Sequence, residues 1–237
     1  MKKNVQRKSV REYFDRIATT YTQRYQSSKP FHHYYFKTRL QLATDPFNFE
    51  QKKVLDIGAG TGALYDYLVS RYSTVDYCGT DISSKMLEYS SIPLSRRKVG
   101  EVSELLIDPL LANQNFDFVF MLGVTSYMSV EDVMSTLKNA LNLLAADGVL
   151  IVSFANQSSI DFQLRKFFKP FFRFFSRSFI GQTFTTSSFC PSYTEPVLPN
   201  PKVAYYNYTF FPFNQLLPAH SIRFSAFLAK CNLSLYV

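Results

Sequence analysis

Two periods of apolar and polar positions alternate along this chain, and each change of period marks an element. Val54, Leu55 and Ile57 form the short apolar run of a parallel strand covered on both faces. Residues 116–122 (Phe-Asp-Phe-Val-Phe-Met-Leu) and 149–154 (Val-Leu-Ile-Val-Ser-Phe) repeat that pattern, and residues 75–81 read as a further strand. Helical spacing fills the intervals: residues 63–71, residues 85–90, and residues 131–144 with Val133, Leu137, Ala140, Leu141 and Leu144 on one face. Asp147-Gly148 reads as a turn. Upstream, Val10, Tyr13, Phe14, Ile17, Ala18, Tyr21 and Tyr25 predict a helix over 10–25. A second helix, over 31–42, opens after Pro30 and ends near Asp45-Pro46.

The strand at Val54 runs into Gly58-Ala59-Gly60-Thr61-Gly62, so a glycine loop joins it to the next helix. Alternating glycines let the backbone turn tightly and a ligand approach without meeting a Cβ. The dinucleotide fingerprint wants G-x-G-x-x-G, whereas this chain has Asp56-x-Gly58-x-Gly60-x-Gly62. A carboxylate before the glycines repels a pyrophosphate and suits an ammonium group. Asp81 ends the next strand, where an acid accepts hydrogen bonds from both ribose hydroxyls. It also stands where it could cap the helix that follows, and the two roles are compatible.

The stretch Val54-Leu55-Asp56-Ile57-Gly58-Ala59-Gly60-Thr61-Gly62 resembles motif I of the class I S-adenosylmethionine-dependent methyltransferases. The resemblance implies an α/β, Rossmann-like fold: a mostly parallel seven-stranded sheet, helices on both faces and a helical N-terminal lid. It implies S-adenosylmethionine as cofactor, held by Asp56, Gly58, Ala59, Gly60, Gly62 and Asp81, with Ile82 and Met86 beside the adenosine. Glu101 and Val102 stand where the family often has an acid facing the adenine amino group, and Leu122 stands at the cofactor edge. Tyr13-Phe14-Asp15-Arg16-Ile17-Ala18-x-x-Tyr21 is similar to the lid segment of many small-molecule methyltransferases; an ordinary packing helix is the other reading. In quinone-biosynthesis O-methyltransferases an arginine placed comparably to Arg39 contacts the cofactor carboxylate; the other reading is a surface arginine. Enzymes that methylate exocyclic amines typically carry an Asn/Asp-Pro-Pro-aromatic motif after the fourth strand. This chain has Leu122-Gly123-Val124-Thr125 there, with Thr125, Ser126 and Tyr127 expected to face the reaction site. A hydroxyl acceptor needs a base, and His32, His33 and Tyr127 are the candidates.

The last third departs from that pattern. Arg165, Lys169, Arg173 and Arg177 fall at i, i+4 through 163–179, beside Leu164, Phe167, Phe168, Phe171, Phe172, Phe175 and Phe179. This predicts a basic, Phe-rich amphipathic helix, with a kink at Pro170. It lies in a membrane interface or over a greasy substrate in one reading, and packs its Phe face on the sheet in the other. Residues 181–212 read as a substrate-covering insertion, and 221–228 and 232–237 as a closing antiparallel hairpin. The resulting organisation is a lid over 1–45, a cofactor-binding core over 46–157 and a C-terminal part over 158–237, all in one domain.

Composition adds limits. The 237 residues suffice for one large domain. Lys and Arg number 26 against 18 Asp and Glu, a net charge of +8, which admits nucleic acid or an anionic membrane as partner. Cys78, Cys190 and Cys231 are widely spaced and read as reduced thiols of a cytoplasmic protein; no metal site, signal peptide or membrane-spanning segment is expected. The expected function is methyl transfer to oxygen or carbon of a small or lipid-like molecule, at the membrane surface if 163–179 meets lipid. RNA methylation and a non-catalytic binding protein that keeps the fold are the alternatives.

Overall fold

The structure is a computed structural model that describes residues 2–24, 30–105, 114–156, 163–164, 167, 197–198, 201–204, 206 and 213–230. The chain divides into two compact units. The first takes residues 1–23, 43–155 and 184–200, and the second takes 24–42, 156–183 and 201–237.

The first unit is built on a parallel sheet of β1 (Lys52–Ile57), β2 (Val75–Asp81), β3 (Arg97–Val99), β4 (Phe116–Met121) and β5 (Leu144–Val152). The spatial order is β3-β2-β1-β4-β5, and every pairing is parallel. The chain winds outward from β1 to β3 and then crosses back to β4. That reversal opens a crevice at the carboxyl ends of β1 and β4, where open α/β sheets take their ligands.

Period-2 alternation sends the strand side chains to two layers. Leu55, Ile57, Val119 and Met121 cluster with Val133, Leu137 and Ala140 of helix α6 (Val130–Asn142). On the other face Phe118 meets Phe49 at 4.5 Å between ring centroids, and Phe120 lies 5.9 Å from the same ring. The remaining helices of this unit are α1 (Lys2–Tyr21), α3 (Ala63–Val69), α4 (Ser84–Glu88) and α5 (Val102–Leu105). The N-terminal helix starts earlier than its apolar spacing predicts, and the chain closes into a 3-10 turn over Thr22–Arg24.

Three expectations for the sheet change. Asp147-Gly148 is not a separate turn but lies within β5, where Phe116 pairs with Leu144 and Phe118 with Val149. The intervening residues form an irregular excursion that begins the strand five residues early. The sheet has five strands among the described residues rather than seven. Residues 221–228, read as a strand, belong to a helix.

The second unit contains most of α2 (Pro30–Thr44), together with α7 (Phe213–Leu216) and α8 (Pro218–Lys230). Ser221, Ser225 and Leu228 are the buried positions among the described side chains of α8, a helical i, i+4, i+7 stripe. The Tyr34 hydroxyl donates to Ser225 Oγ at 3.2 Å, joining α2 to α8. Residues 232–237 and most of 163–179 and 181–212 lie outside the described residues. No helix among the described residues is long and apolar enough to cross a membrane.

Candidate functional site

The loop after β1 is laced to the end of β2. Gly58 N–H and Ala59 N–H both donate to the Thr80 carbonyl, at 2.7 and 2.9 Å. Gly60 N–H donates to Asp81 Oδ2 at 2.9 Å, while Asp81 Oδ1 accepts from Ser83 N–H at 2.8 Å. One carboxylate therefore fixes both the glycine loop and the turn into α4. The cap of α4 is Ser83, whose Oγ accepts from Met86 N–H, so the capping role open to Asp81 falls to its neighbour. Asp81 titrates at about 6, above its usual 3.8. Burial is the main cause; the Ser83 and Gly60 N–H groups pull the value down, and Asp15 pushes it up.

Two glycines of the loop need their freedom for different reasons. Gly58 has φ +78°, and a Cβ there would lie 2.4 Å from Val124 Cγ2 in the turn after β4. The loops leaving β1 and β4 thus touch at the switch point of the sheet. Gly60 has φ +56°, and a Cβ there would face Met86 Cε at 3.2 Å and a ring carbon of Tyr21 at 3.9 Å. This glycine is bounded by side chains rather than backbone, a cradle open to an approaching ligand.

Asp56 is buried in β1, where its Oδ2 accepts the Tyr77 hydroxyl at 2.6 Å. Burial, followed by the charge of Asp56, holds the Tyr77 phenol well above its usual range, so Tyr77 remains a donor. After β4, Gly123 N–H donates to Ser153 Oγ at 2.7 Å and Thr125 Oγ1 to the Ser153 carbonyl at 2.8 Å. These bonds fix the turn carrying Leu122 and Tyr127.

Helix α1 packs along this edge. The Phe14 ring meets Tyr127 edge-on at 4.9 Å and lies 6.1 Å from Tyr21. Gln6 donates to the Tyr127 carbonyl at 3.1 Å, and Ser83 Oγ donates to Asp15 Oδ1 at 2.6 Å. Arg7 joins Glu101 at 2.8 Å to Asp132 at 2.6 Å. Helix α1 thus packs beside the glycine loop.

Asp56, Gly58, Ala59, Gly60, Gly62, Asp81, Ile82, Met86, Leu122 and Tyr127 gather on the β1, β2 and β4 ends of the first unit. Glu101 is engaged by Arg7, and Val102 is buried in the core cluster. His32, His33 and Arg39 belong to the second unit. Both histidines are exposed on α2. Arg39 is buried, correcting the surface reading, with its guanidinium 5.1 Å from the Phe36 ring centre and 6.0 Å from that of Tyr35. Sequence reasoning missed the roles of Tyr77, Ser83, Ser153 and the Arg7 bridge. Only Ser83, just before a helix, carried a readable signal, that of an N-cap.

Residues 55–150 match a family model described as a methyltransferase domain. A ribosomal RNA small subunit methyltransferase C from Buchnera aphidicola is 30% identical over 124 residues, 50% of this chain and 38% of that protein. A malonyl-[acyl-carrier protein] O-methyltransferase from Acetivibrio thermocellus is 30% identical over 100 residues, 42% of this chain and 34% of that protein. The chain thus spans little more than a third of the length of these curated relatives. The magnesium protoporphyrin IX methyltransferase of Synechocystis PCC 6803, solved with S-adenosylhomocysteine, superposes with a TM-score of 0.60 at 18% identity. That superposition covers 81% of this chain and 86% of the other. The fold is the Rossmann-like fold seen in that methyltransferase, and residues 55–150 are similar to a methyltransferase domain.

Proposed function

We propose that this chain, whose residues 55–150 are similar to a methyltransferase domain, transfers a methyl group from S-adenosylmethionine to oxygen or carbon of a small or lipid-like molecule. One observation carries the reading: the glycine loop is pinned to the Asp81 carboxylate beside the switch point of the sheet. The residues present suit the cofactor. Gly60 leaves a cradle that a Cβ would fill, and an acid stands on each side of the loop, Asp56 for an ammonium and Asp81 for ribose hydroxyls. When bound, the cofactor supplies an activated methyl on a sulfonium. The chain supplies alignment and a dry edge. Ile82 and Met86 flank the adenosine, and Phe14, Tyr21 and Tyr127 offer aromatic faces suited to a cation. No base is assigned: an acidic phenol, a carboxylate or a carbanion reacts by alignment alone.

RNA methylation is the second reading, favoured by the ribosomal RNA relative. Leu122-Gly123-Val124-Thr125 at the end of β4 speaks against exocyclic amines as acceptors, because it lacks the carbonyl-bearing motif that holds a planar nitrogen. Contact of 163–179 with a membrane would suit a lipid-like acceptor. Titration calorimetry with S-adenosylhomocysteine tests the cofactor, and heat with a nicotinamide dinucleotide instead refutes it. Labelled-methyl transfer into fractionated lysate, scored in lipid, small-molecule, RNA and protein pools, tests the acceptor.

A further inference from the structure

Charge is divided unequally between the two units. The first holds 14 Lys and Arg against 17 Asp and Glu; the second holds 12 against one acid, Asp161. The second unit also holds 15 of the 24 Phe. The positive balance of the chain therefore belongs wholly to that unit, together with most of its Phe.

Helix α8 displays this composition in an inverted form. Its inward stripe is Ser221, Ser225 and Leu228, with Ser225 bonded to Tyr34. Phe224 and Phe227 point away from that stripe, 44% and 60% exposed, and His220 and Arg223 are exposed beside them. Just upstream, Leu216 is 73% exposed and Leu217 49%. A helix that packs hydroxyls inward and leaves rings in water forgoes the main driving force for its own burial. Large apolar groups exposed together mark an interaction surface.

We propose that the face of α7 and α8 bearing Leu216, Leu217, Phe224 and Phe227 docks on an anionic phospholipid surface. Charge complementarity decides the occupant. Headgroup phosphates satisfy the exposed Arg223 in a unit that carries 12 cations against one acid, while the acyl boundary takes the Phe and Leu side chains. An RNA backbone satisfies only the cations and leaves the leucines in water. The inference does not rest on the methyl-transfer reading and is tested without cofactor.

Flotation of the full chain with equimolar phosphatidylglycerol–phosphatidylcholine vesicles, against phosphatidylcholine alone, reads the interaction. The anionic vesicles are expected to capture the protein about tenfold better or more. Phe224→Ser with Phe227→Ser should lower capture about tenfold, and Phe224→Leu with Phe227→Leu should retain it. Unchanged circular dichroism and melting establish that the variants fold. The proposal is overturned by equal capture of the serine variant, by RNA binding without flotation, or by a solution dimer that the serine variant splits.

Discussion

Replacing Asp81 with asparagine separates what this residue costs the fold from what it gives a ligand. The carboxyl titrates at about 6 in the folded chain against 3.8 ordinarily. At ~1.4 kcal/mol per pKa unit, holding it ionised at neutral pH costs the fold at most about 3 kcal/mol. Part of the residue remains open to solvent, which discounts this to about 2 kcal/mol. The folded value lies above the unfolded one, so the penalty is absent below about pH 4, grows through pH 4–6 and is constant above. Asparagine carries no such penalty. Its single amide oxygen, however, accepts from Gly60 N–H or Ser83 N–H but not both, a loss of about 1–2 kcal/mol. Asp81→Asn should therefore be less stable than wild type by about 1–2 kcal/mol near pH 4 and equal or slightly more stable at neutral pH. Its affinity for S-adenosylhomocysteine should fall about 10- to 100-fold, because an amide cannot accept from both ribose hydroxyls. Wild-type affinity should itself weaken as pH drops through about 6 and Asp81 takes up a proton. Urea denaturation across this pH range, with calorimetry at neutral pH, measures both effects. A stability difference that stays flat from acid to neutral pH refutes the electrostatic argument, and wild-type affinity in the variant refutes the ribose role.

Two further perturbations probe the same edge. Gly58→Ala combines a left-handed backbone with an overlap on Val124, and should cost about 2–4 kcal/mol in urea denaturation. Adding Val124→Ala should restore only the part due to overlap. Arg7→Ala breaks a half-exposed bridge to Glu101 and Asp132 and should cost global stability about 1 kcal/mol or less. Its signature should be faster amide hydrogen exchange in the first half of α1, and unchanged exchange would show that the bridge does not hold the helix down.

Four of the five strands of the first unit are legible because parallel strands covered on both faces are largely apolar, whereas β3, with cations at two of its three positions, carries no such signal. The strand expected over 75–81 coincides with β2 to the residue and sets Asp81 at its end. The glycine loop was legible for a related reason, since backbone at φ near +60 to +80° admits few residues other than glycine. The bonds that brace this loop were not legible. Tyr77 looks like any strand aromatic until its hydroxyl is found on Asp56, and nothing near Arg7 in sequence points to Glu101 or Asp132. Such contacts depend on how elements pack, which a single sequence leaves open.

The misreading of 221–228 has a different origin. With a period of two, Ser-Ile-Arg-Phe-Ser-Ala-Phe-Leu places Ile222, Phe224, Ala226 and Leu228 on one face and Ser221, Arg223 and Ser225 on the other, so a strand with its serines outward fits with only Phe227 out of place. The structure reverses that assumption: Ser221 and Ser225 are inward and Phe224 and Phe227 outward. Once the serines define the buried side, their i, i+4 spacing continued by Leu228 is helical and the alternation disappears. Hydrophobic patterning locates the buried face only where water is the medium on the other side. An element whose outer face meets lipid breaks that premise, so the same inversion that hid α8 from its sequence is the reason to look for a membrane against it.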